Sequence, residues 1–534
     1  MEILAQRRSF DIRAFGETWF RCPVCIAVDA EGEQDRDETF VELMAMTEEK
    51  TGTGVRYTWR TRSGLWREKE YVLETDGAAA RFFVRVTGTG RVDGLRFFDG
   101  GAEYGASEYL LPAANHRDER RNLRLVSEPG TLELGYFAPP SYCYPFAMPD
   151  CAGWTGVGLA AREGQYNFHQ FLYRPDRNAC TFEVPLYGTT TVDGTWESQS
   201  LLFLTGEDGF DVLRNYARWH YDSGWCRRRD RSGDPAWWRG PIFCGWGEQG
   251  TIASRRGGRD KDHATQENYE WMSARLDELG LRPRILIIDD KWQSAYGTAM
   301  PDPEKWPDLR GFADREHAKG RRVLLWFRCW YPEGLSEQEC VEYLCTACGA
   351  DPTSGAYRAR MRETVRRLLS DEPGCFNCDG FKVDFANCMP LGKYVTPHEP
   401  VYGVELLKRM YLLIRDCAKA AKPDALINCS CAHPYFDEIA DEVRLHDYDG
   451  VLRSAPEVMG YRAALVRAAM EDVLLDTDTA STMSRRDFRR YTEAQPDLGV
   501  PCLMHVSPAG DVPLDGEDLD LIRRAWDRWE KKEN

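Results

Sequence analysis

Acidic side chains recur in the second half of the chain at one kind of position, directly after a short apolar run. The residues concerned are Asp289, Asp290, Asp384, Asp447, Asp449, Asp476 and Asp478. A carboxylate that is removed from water is destabilised unless a cation or hydrogen bonds compensate it. Repeated placement after apolar runs therefore indicates a functional site, because ionisable groups gathered in a cleft are typical of catalytic centres.

Two carboxylates that face each other across a sugar can cleave a glycosidic bond. One attacks the anomeric carbon or activates a water molecule, and the other protonates the leaving oxygen. The attacking carboxylate must stay ionised, and a nearby cation lowers its pKa. Lys382 lies two residues before Asp384, and residues two apart on a strand point to the same face. We therefore predict that both reach one pocket, the alternative for Lys382 being a solvated lysine at a strand end.

Two other uses of these acidic residues remain open at this point. An aspartate after a strand often caps the next helix, because its side chain accepts hydrogen bonds from free backbone N–H groups. Clustered acids also serve metal catalysis, and His446 and His505 lie at two of the predicted strands. The 9 histidines show neither HxH nor HExxH spacing. We therefore predict a site without metal or cofactor.

The chain after Arg239 alternates apolar strand patterns with amphipathic helix patterns. The predicted strands are Pro241–Gly245, Arg284–Asp289, Arg322–Phe327, Gly380–Asp384, Ala425–Cys429, Val443–His446, Val473–Asp476 and Pro501–Val506. The predicted helices are Gln266–Leu279, Leu309–Lys319, Tyr357–Leu369, Gly403–Lys419, Glu457–Ala469, Ser484–Ala494 and Glu517–Lys531. This alternation predicts an α/β fold, a (β/α)8 TIM barrel whose catalytic mouth lies at the carboxyl ends of the strands. A doubly wound open sheet is the competing fold, and nucleotide binding has no support because no glycine-rich phosphate loop follows a strand.

The chain before Arg227 is typical of a β-rich domain. Short apolar segments such as Ala80–Val86 and Ser200–Leu204 lie between Gly and Asp turns, and the first long helical pattern is Gly209–His220. These features predict an N-terminal β-sandwich closed by a helix. The charged, breaker-rich stretch Arg227–Pro235 predicts the boundary. We therefore expect a sandwich domain over residues 1–230 and a catalytic barrel over residues 240–534.

The composition excludes some classes of partner. The chain has 534 residues, a net charge of −17 and 12% aromatic residues. Nucleic-acid binding needs an excess of Lys and Arg, whereas aromatic rings suit the stacking of sugars. The sequence has neither an apolar run of membrane-span length nor a signal-peptide pattern at its start. We expect a cytoplasmic protein that binds carbohydrate but neither nucleic acid nor membrane, and the oligomeric state stays open, a homo-oligomer included.

The 18 cysteines are expected to be reduced in that compartment. Three pairs have CxxC spacing, namely Cys22/Cys25, Cys345/Cys348 and Cys375/Cys378. The last two pairs are separated by more than the usual gap of a zinc ribbon, and a helical pattern fills that gap. Buried thiols are the main interpretation, and a structural zinc is the alternative.

Four segments of the predicted barrel contain motifs that are known from one group of enzymes. Ile287-Ile-Asp-Asp-Lys-Trp-Gln resembles the paired-aspartate and tryptophan motif that ends the second barrel strand. Lys305–Phe327 is similar to the helix and third strand that follow. Asp379–Asn387 is similar to the fourth-strand motif with the nucleophile, and Asn428–Cys431 to the fifth-strand motif. Together these segments resemble the clan D glycoside hydrolases, the α-galactosidase-like enzymes of family 36 and the related family 27. The resemblance covers roughly Pro241 to Asp449, and family 36 also has a sandwich before its barrel.

The resemblance implies a retaining α-glycosidase that forms a covalent glycosyl-enzyme intermediate, with α-galactosides as the first choice of substrate. It assigns the nucleophile to Asp384 and the acid/base to Asp447. Asp449 is the second choice for the acid/base, because Arg444 lies three residues before Asp447 where four are usual. Substrate contacts are expected from Asp289, Asp290, Trp326, Lys382, Cys429, Arg444 and Asp449, with Trp246 as an aromatic platform after the first strand. A transglycosylase with the same site and a non-catalytic carbohydrate-binding barrel are the alternatives.

One departure from the family pattern bears on the substrate. Lys291 occupies a place where a glycine is usual, which adds a cation at the edge of the pocket. This cation indicates either an acidic or otherwise altered substrate or a lysine that faces solvent.

Overall fold

The amino-terminal part of the chain is an antiparallel β-sandwich. The computed structural model describes residues 1–32, 37, 42–112, 123–125, 129–135, 137–448, 454–478, 484–507 and 514–533. The sandwich strands are β1 (Glu2–Ala5), β2 (Ser9–Ala14), β3 (Glu17–Pro23), β4 (Ile26–Ala30), β5 (Glu42–Lys50), β6 (Val55–Arg62), β7 (Glu68–Thr75), β8 (Ala80–Tyr104), β9 (Glu108–Leu110), β10 (Leu123–Leu125), β11 (Gly130–Glu133), β12 (Cys143–Ala147), β13 (Trp154–Ala160), β14 (Gln170–Asp176), β15 (Ala179–Glu197) and β16 (Ser200–Gly206). Helix α1 (Gly209–Asp222) follows them.

Two long strands hold the sandwich together. β8 pairs with β3, β4, β7, β15 and β16 along its length, and β15 also pairs with β14, all in antiparallel register. In β15, Phe182, Val184 and Leu186 are buried and alternate with partly exposed residues. This two-residue period directs one face of the strand into the core. The predicted sandwich and its closing helix are therefore confirmed.

The second part of the chain is a parallel barrel. Its strands are β17 (Ile242–Cys244), β18 (Ile285–Ile288), β19 (Arg322–Arg328), β22 (Gly380–Asp384), β24 (Leu426–Cys429), β25 (Glu442–Arg444), β26 (Leu474–Asp476) and β27 (Cys502–Leu503). Neighbouring strands pair in parallel in the order β26-β25-β24-β22-β19-β18-β17-β27. A bridge between Asp476 and Val500 links the two ends of this order. The barrel is therefore nearly closed, which confirms the TIM-barrel prediction over the open sheet.

Helices lie between the barrel strands. They are α2 (Trp246–Arg256), α3 (Gln266–Glu278), α4 (Leu309–Ala318), α5 (Gly355–Leu369), α6 (Gly403–Ala421), α7 (Ala455–Ala469), α8 (Arg485–Leu498) and α9 (Gly516–Glu533). All the predicted helices occur. Helix α2 was not predicted, because Gly247 and Gly250 lower its helix propensity. A small antiparallel sheet was also not predicted; it contains β20 (Cys340–Tyr343), β21 (Thr346–Ala350) and β23 (Val395–Thr396).

Alternation along the barrel strands separates two apolar layers. Ile242 and Cys244 of β17 belong to a cluster that fills the barrel interior, whereas Phe243 belongs to the layer under the helices. The same alternation holds for Ile285 and Leu286 in β18. Side chains in phase with the inner cluster therefore project into the barrel, and those near the carboxyl ends of the strands reach its mouth.

None of the helices that the described residues form is long and apolar enough to cross a membrane.

Candidate active site

Asp384 ends β22 and lies among hydrogen-bond donors at the barrel mouth. Its Oδ2 accepts a hydrogen bond from Nε1 of Trp326 at 3.1 Å, and its Oδ1 accepts one from the backbone N–H of Phe385 at 2.8 Å. Nη1 of Arg444 lies 3.1 Å from Oδ2. Burial raises the pKa of this carboxyl. The charges of Arg444 and Lys382 and the hydrogen bond from Phe385 lower it by more, so the pKa lies well below its ordinary value. Asp384 is therefore ionised at neutral pH.

Arg444, the last residue of β25, joins three of the predicted acidic residues. Besides its contact with Asp384, its Nη2 lies 3.9 Å from Oδ1 of Asp447, and its Nε lies 2.9 Å from Oδ2 of Asp478. The guanidinium is buried, and a buried arginine needs such partners to offset its loss of hydration. Because one guanidinium reaches both Asp384 and Asp447, the two carboxylates lie on the same opening of the barrel.

Asp447 has the opposite electrostatic character. Burial by the surrounding protein and the charge of Asp478 raise the pKa of its carboxyl to about 7, although Arg444 opposes the rise. Its side chain is 55% exposed, so the carboxyl is crowded by protein and still accessible to a substrate. At neutral pH a large fraction of Asp447 carries a proton. One acid of the pair is thus ionised and the other is poised to donate.

Lys382 is buried and pairs with Asp289 rather than with Asp384. Its Nζ lies 2.8 Å from Oδ2 of Asp289, and the thiol of Cys244 donates to the same oxygen at 3.0 Å. The alternative of a solvated lysine is therefore wrong, because the side chain points into the barrel interior. Within the described part of the chain, Arg444 is the cation that forms an ion pair with Asp384, and Lys382 lowers the pKa of Asp384 from farther away.

Asp290 lies beside Asp289 at the end of the second barrel strand. The hydroxyl of Tyr296 donates to its Oδ1 at 2.7 Å. Burial raises the pKa of Asp290, and the hydrogen bond from Tyr296 lowers it in part. The two adjacent carboxylates therefore differ, since Asp289 is paired with a buried lysine and Asp290 with a neutral tyrosine.

Helix capping does not explain the strand-end aspartates. The residues at the N-cap positions of α3 to α8 are Thr265, Asp308, Ser354, Tyr402, Ser454 and Ser484. None of them is one of the aspartates that follow the barrel strands. Those carboxylates that the structure describes are instead bonded across the barrel mouth or within the barrel interior.

Other predicted residues lie elsewhere around this site. Cys429 does not join the group, because strand alternation turns its thiol into the layer under the helices, whereas Asn428 faces inward. Trp246 begins α2 directly after β17 and packs, half-buried, against the inner cluster. Asp476 accepts a hydrogen bond from Nδ2 of Asn428 at 2.8 Å inside the barrel. Asp449, the second choice for the acid/base, lies outside the described residues.

The mouth also contains residues that the sequence did not predict. Tyr296 contacts Asp290, and the ring of Phe385 lies 6.0 Å from that of Trp326. Phe137, from the sandwich part of the chain, packs edge-on against His446 with ring centroids 6.2 Å apart. Nothing in their local sequence distinguishes these residues, because their contacts depend on how distant segments meet.

The two histidines considered as metal ligands have separate contacts. Nδ1 of His446 lies 3.3 Å from Nη2 of Arg444, and Nδ1 of His505 lies 3.5 Å from Oγ1 of Thr251. Within the part of the chain that the structure describes, no group of three or more His, Cys, Asp or Glu side chains is arranged to hold a metal ion.

Comparisons with known proteins identify the fold. Neither a scan against protein-family models nor a search of curated proteins finds a match. The family 36 α-galactosidase AgaB from Geobacillus stearothermophilus matches with a TM-score of 0.57 and 12% identity, over 98% of this chain and 77% of its own. This chain therefore shares the fold of that solved α-galactosidase.

Two further solved structures share this fold. TtGalA, an α-galactosidase from Thermus thermophilus in complex with stachyose, has a TM-score of 0.53 and 14% identity, over 90% of this chain and 99% of its own. A family 31 sulfoquinovosidase from E. rectale, in complex with an aza-sugar inhibitor, has a TM-score of 0.58 and 11% identity, over 100% of this chain and 83% of its own. Solved structures with this fold thus contain different ligands, stachyose in one and an aza-sugar inhibitor in the other.

Proposed function

We propose that the chain is a retaining α-glycosidase in which Asp384 is the nucleophile and Asp447 is the acid/base, with α-galactosides as the first substrates to test. The observation that carries the proposal is the contact of one buried guanidinium, that of Arg444, with both carboxylates. The opposite pKa shifts of the two acids match the two roles. The neighbours in fold are glycoside hydrolases, which supports the same reaction class.

The first step forms a covalent sugar ester. The ionised Asp384 attacks the anomeric carbon while the proton of Asp447 passes to the leaving oxygen, so the bond to the aglycone breaks as the new bond forms. The donors Trp326 and Phe385 hold the Asp384 carboxylate in one orientation, which reduces the rearrangement needed for attack.

The second step releases the sugar. Asp447, now deprotonated, accepts a proton from a water molecule that attacks the same carbon and displaces Asp384. Two inversions at one carbon retain its configuration. Asp290 and Asp289 are the hydroxyl acceptors that position the sugar, and Trp326 forms one wall of its pocket.

A panel of aryl α- and β-glycosides tests this proposal, with Asp384→Asn as the decisive variant. We expect turnover of an α-glycoside, retention of configuration in the first-formed sugar by NMR, and a loss of about 10³-fold or more in kcat for Asp384→Asn. Asp416→Asn is the matched control, because that carboxylate is exposed near the carboxyl end of α6. Its activity should equal that of the unmodified chain.

Three outcomes would contradict the proposal. Turnover unaffected by Asp384→Asn in a folded variant would favour a non-catalytic barrel. Inverted product would remove the nucleophile role of Asp384. Products formed mainly with an added sugar acceptor rather than with water would favour a transglycosylase at the same site.

A further inference from the structure

Arg328 lies next to the reacting centre in the barrel. It is the last residue of β19, and its register partner on the neighbouring strand is Asp384. Neighbouring strands lie about 4.8 Å apart. Arg328 is also two residues after Trp326, so both side chains project to the same side of β19. Its side chain therefore starts within the length of one sugar ring from the proposed nucleophile.

Aromatic rings surround the guanidinium of Arg328. Its central carbon lies 5.0 Å from the ring centre of Tyr296, 4.4 Å from that of Tyr331 and 4.3 Å from that of Phe385. Tyr331 is 43% exposed and Phe385 is 36% exposed, so this cage opens to solvent. Rings stacked on a guanidinium hold it in place but leave the donors in its plane available.

The charge of Arg328 has no close carboxylate partner. Across the described ranges, no acidic side chain lies within ion-pair distance of its guanidinium. Lys291 shows the contrast: its Nζ lies 3.8 Å from the ring centre of the same Tyr296, but it pairs with Oε2 of Glu333 at 2.6 Å. The lysine is thus neutralised, whereas the arginine at the mouth is not.

The cage is continuous with the sugar-binding carboxylates. Tyr296 contacts Arg328 with its ring and donates its hydroxyl to Asp290. Burial raises the pKa of Asp290, and the charge of Arg328 opposes that rise. A sugar held by Asp290 would therefore have the planar donors of Arg328 beside it.

We propose that Arg328 and its aromatic cage form an anion subsite that takes a negatively charged substituent, of the carboxylate, sulfonate or phosphate type, on the substrate. This inference rests on the proposed glycosidase function and names its substrate class. A guanidinium recognises such groups with two parallel hydrogen bonds, which a neutral sugar does not use as well. The charge can lie on the glycosyl ring or on the aglycone, and the test separates these sources.

The kinetic test compares matched neutral and charged substrates. The first pair is an aryl α-galactoside and the corresponding α-galacturonide, and the second is the aryl α-galactoside with and without a carboxylate on the aryl group. We expect the charged member of one pair to have the higher kcat/KM. In Arg328→Gln the ratio of charged to neutral kcat/KM should fall by about 10-fold to 100-fold, the scale of a charge-assisted hydrogen bond. Arg328→Lys should recover part of the ratio.

Two controls isolate the role of Arg328. Arg322→Gln removes a guanidinium from the opposite end of the same strand, where Nη1 lies 3.3 Å from Oδ1 of Asp379, and should leave the ratio unchanged. Thermal melts identify variants that fail to fold. An equal loss of kcat/KM for charged and neutral substrates in Arg328→Gln would overturn the subsite and leave Arg328 as a group that acts on Asp290.

A binding measurement separates this inference from the proposed function. Calorimetric titration of the full chain with the free sugars galactose, galacturonate, glucose and glucuronate should give tighter binding of one uronate, and Arg328→Gln should abolish that preference. Uronate binding that depends on Arg328, without turnover of any glycoside, would contradict the proposed function and retain the subsite. If no charged sugar or glycoside shows an advantage that depends on Arg328, the inference is wrong.

Discussion

Arg444 is the residue through which the electrostatics of the candidate site are coupled. It contacts Asp384, Asp447 and Asp478, and Nδ1 of His446 lies against the same guanidinium. Burial and Arg444 together lower the pKa of His446 well below its ordinary value, so this imidazole is neutral. The arginine therefore supplies the positive charge that keeps Asp384 ionised. Asp447 instead retains its proton up to about pH 7, because burial and the charge of Asp478 disfavour ionisation of its carboxyl.

The raised pKa of Asp447 predicts a pH dependence. In the proposed mechanism, the proton of Asp447 is needed for departure of the leaving group. Since the pKa of Asp447 is about 7, kcat/KM should be high below pH 7 and fall as the pH rises through that value. The pKa of Asp384 is shifted downward, so its ionised form persists into acid and the acidic limb lies at much lower pH. A pH profile of kcat/KM on a substrate with a poor leaving group measures both limbs.

Asp447→Asn provides the control for this assignment. The variant should lose the alkaline limb and about 10²-fold to 10⁴-fold in turnover of that substrate. An alkaline limb that persists would assign the titration to another acid, and Asp476 is the first candidate because burial and Asp478 raise its pKa to about 6.

At the scale of elements, strand alternation brings the charged residues together. Lys382 of β22 crosses the barrel interior to reach Asp289 at the end of β18, and both side chains are buried. Asn428 of β24 similarly donates to Glu442 at 3.0 Å and to Asp476 at 2.8 Å. The contacts of Lys382 with Asp289 and of Asn428 with Asp476 each connect two barrel strands that have another strand between them. They therefore stabilise the closed barrel as well as shaping its mouth.

Removing one partner of the buried pair should destabilise the barrel. Lys382→Met leaves Asp289 buried without its cation, and we expect a loss of about 3–5 kcal/mol in the free energy of unfolding. Urea unfolding followed by circular dichroism measures this loss. Lys393→Met is the control, because Lys393 is exposed and its Nζ lies 4.0 Å from Oε1 of Glu31, the distance of a weak surface ion pair. This variant should change the free energy of unfolding by less than about 0.5 kcal/mol.

The double variant Lys382→Met/Asp289→Leu tests the physical reason. It removes the unpaired charge as well, so it should be more stable than Lys382→Met. A double variant no more stable than the single one would show that the loss comes from packing rather than from the uncompensated carboxylate.

At the scale of the whole molecule, the sandwich and the barrel form an interface with both backbone and aromatic contacts. The backbone N–H of Val404 donates to the carbonyl oxygen of Phe168 at 2.8 Å. The rings of Tyr166 and Tyr435 stack with centroids 3.8 Å apart. Phe137 contacts His446 beside the candidate acid/base. We therefore propose that the expected sandwich domain over residues 1–230 and the barrel over residues 240–534 fold as one cooperative unit.

Calorimetry of the full chain tests this cooperativity. A single unfolding transition is expected, and Tyr166→Ala should lower its midpoint as one transition with a loss of about 3–5 kcal/mol, typical for truncation of a buried aromatic ring. Tyr343→Ala is the control because Tyr343 is exposed on β20. Two separate transitions, only one of them sensitive to Tyr166→Ala, would contradict the proposal.

The order of strands and helices could be predicted from the sequence, because the period of apolar residues in each element is a local property of the chain. Apolar runs such as Ile285–Ile288 and Gly380–Asp384 predicted barrel strands at the right places, and the aspartates after them predicted the mouth. Lys382 and Asp384 lie two residues apart, so their common inward direction also followed from the strand period. Cys429 shows the limit of motif matching, since the same strand period directs its thiol away from the barrel interior.

Only the tertiary structure decided how those residues are connected. That Arg444 reaches both Asp384 and Asp447, that Lys382 pairs with Asp289, and that three rings enclose Arg328 depend on barrel closure and on loops that meet in space. Such contacts join residues from different strands, and no local pattern specifies the distance between them. The sequence therefore showed which ionisable residue types follow the barrel strands. Which of these charges pair, and hence how each pKa shifts, depends on the folded chain.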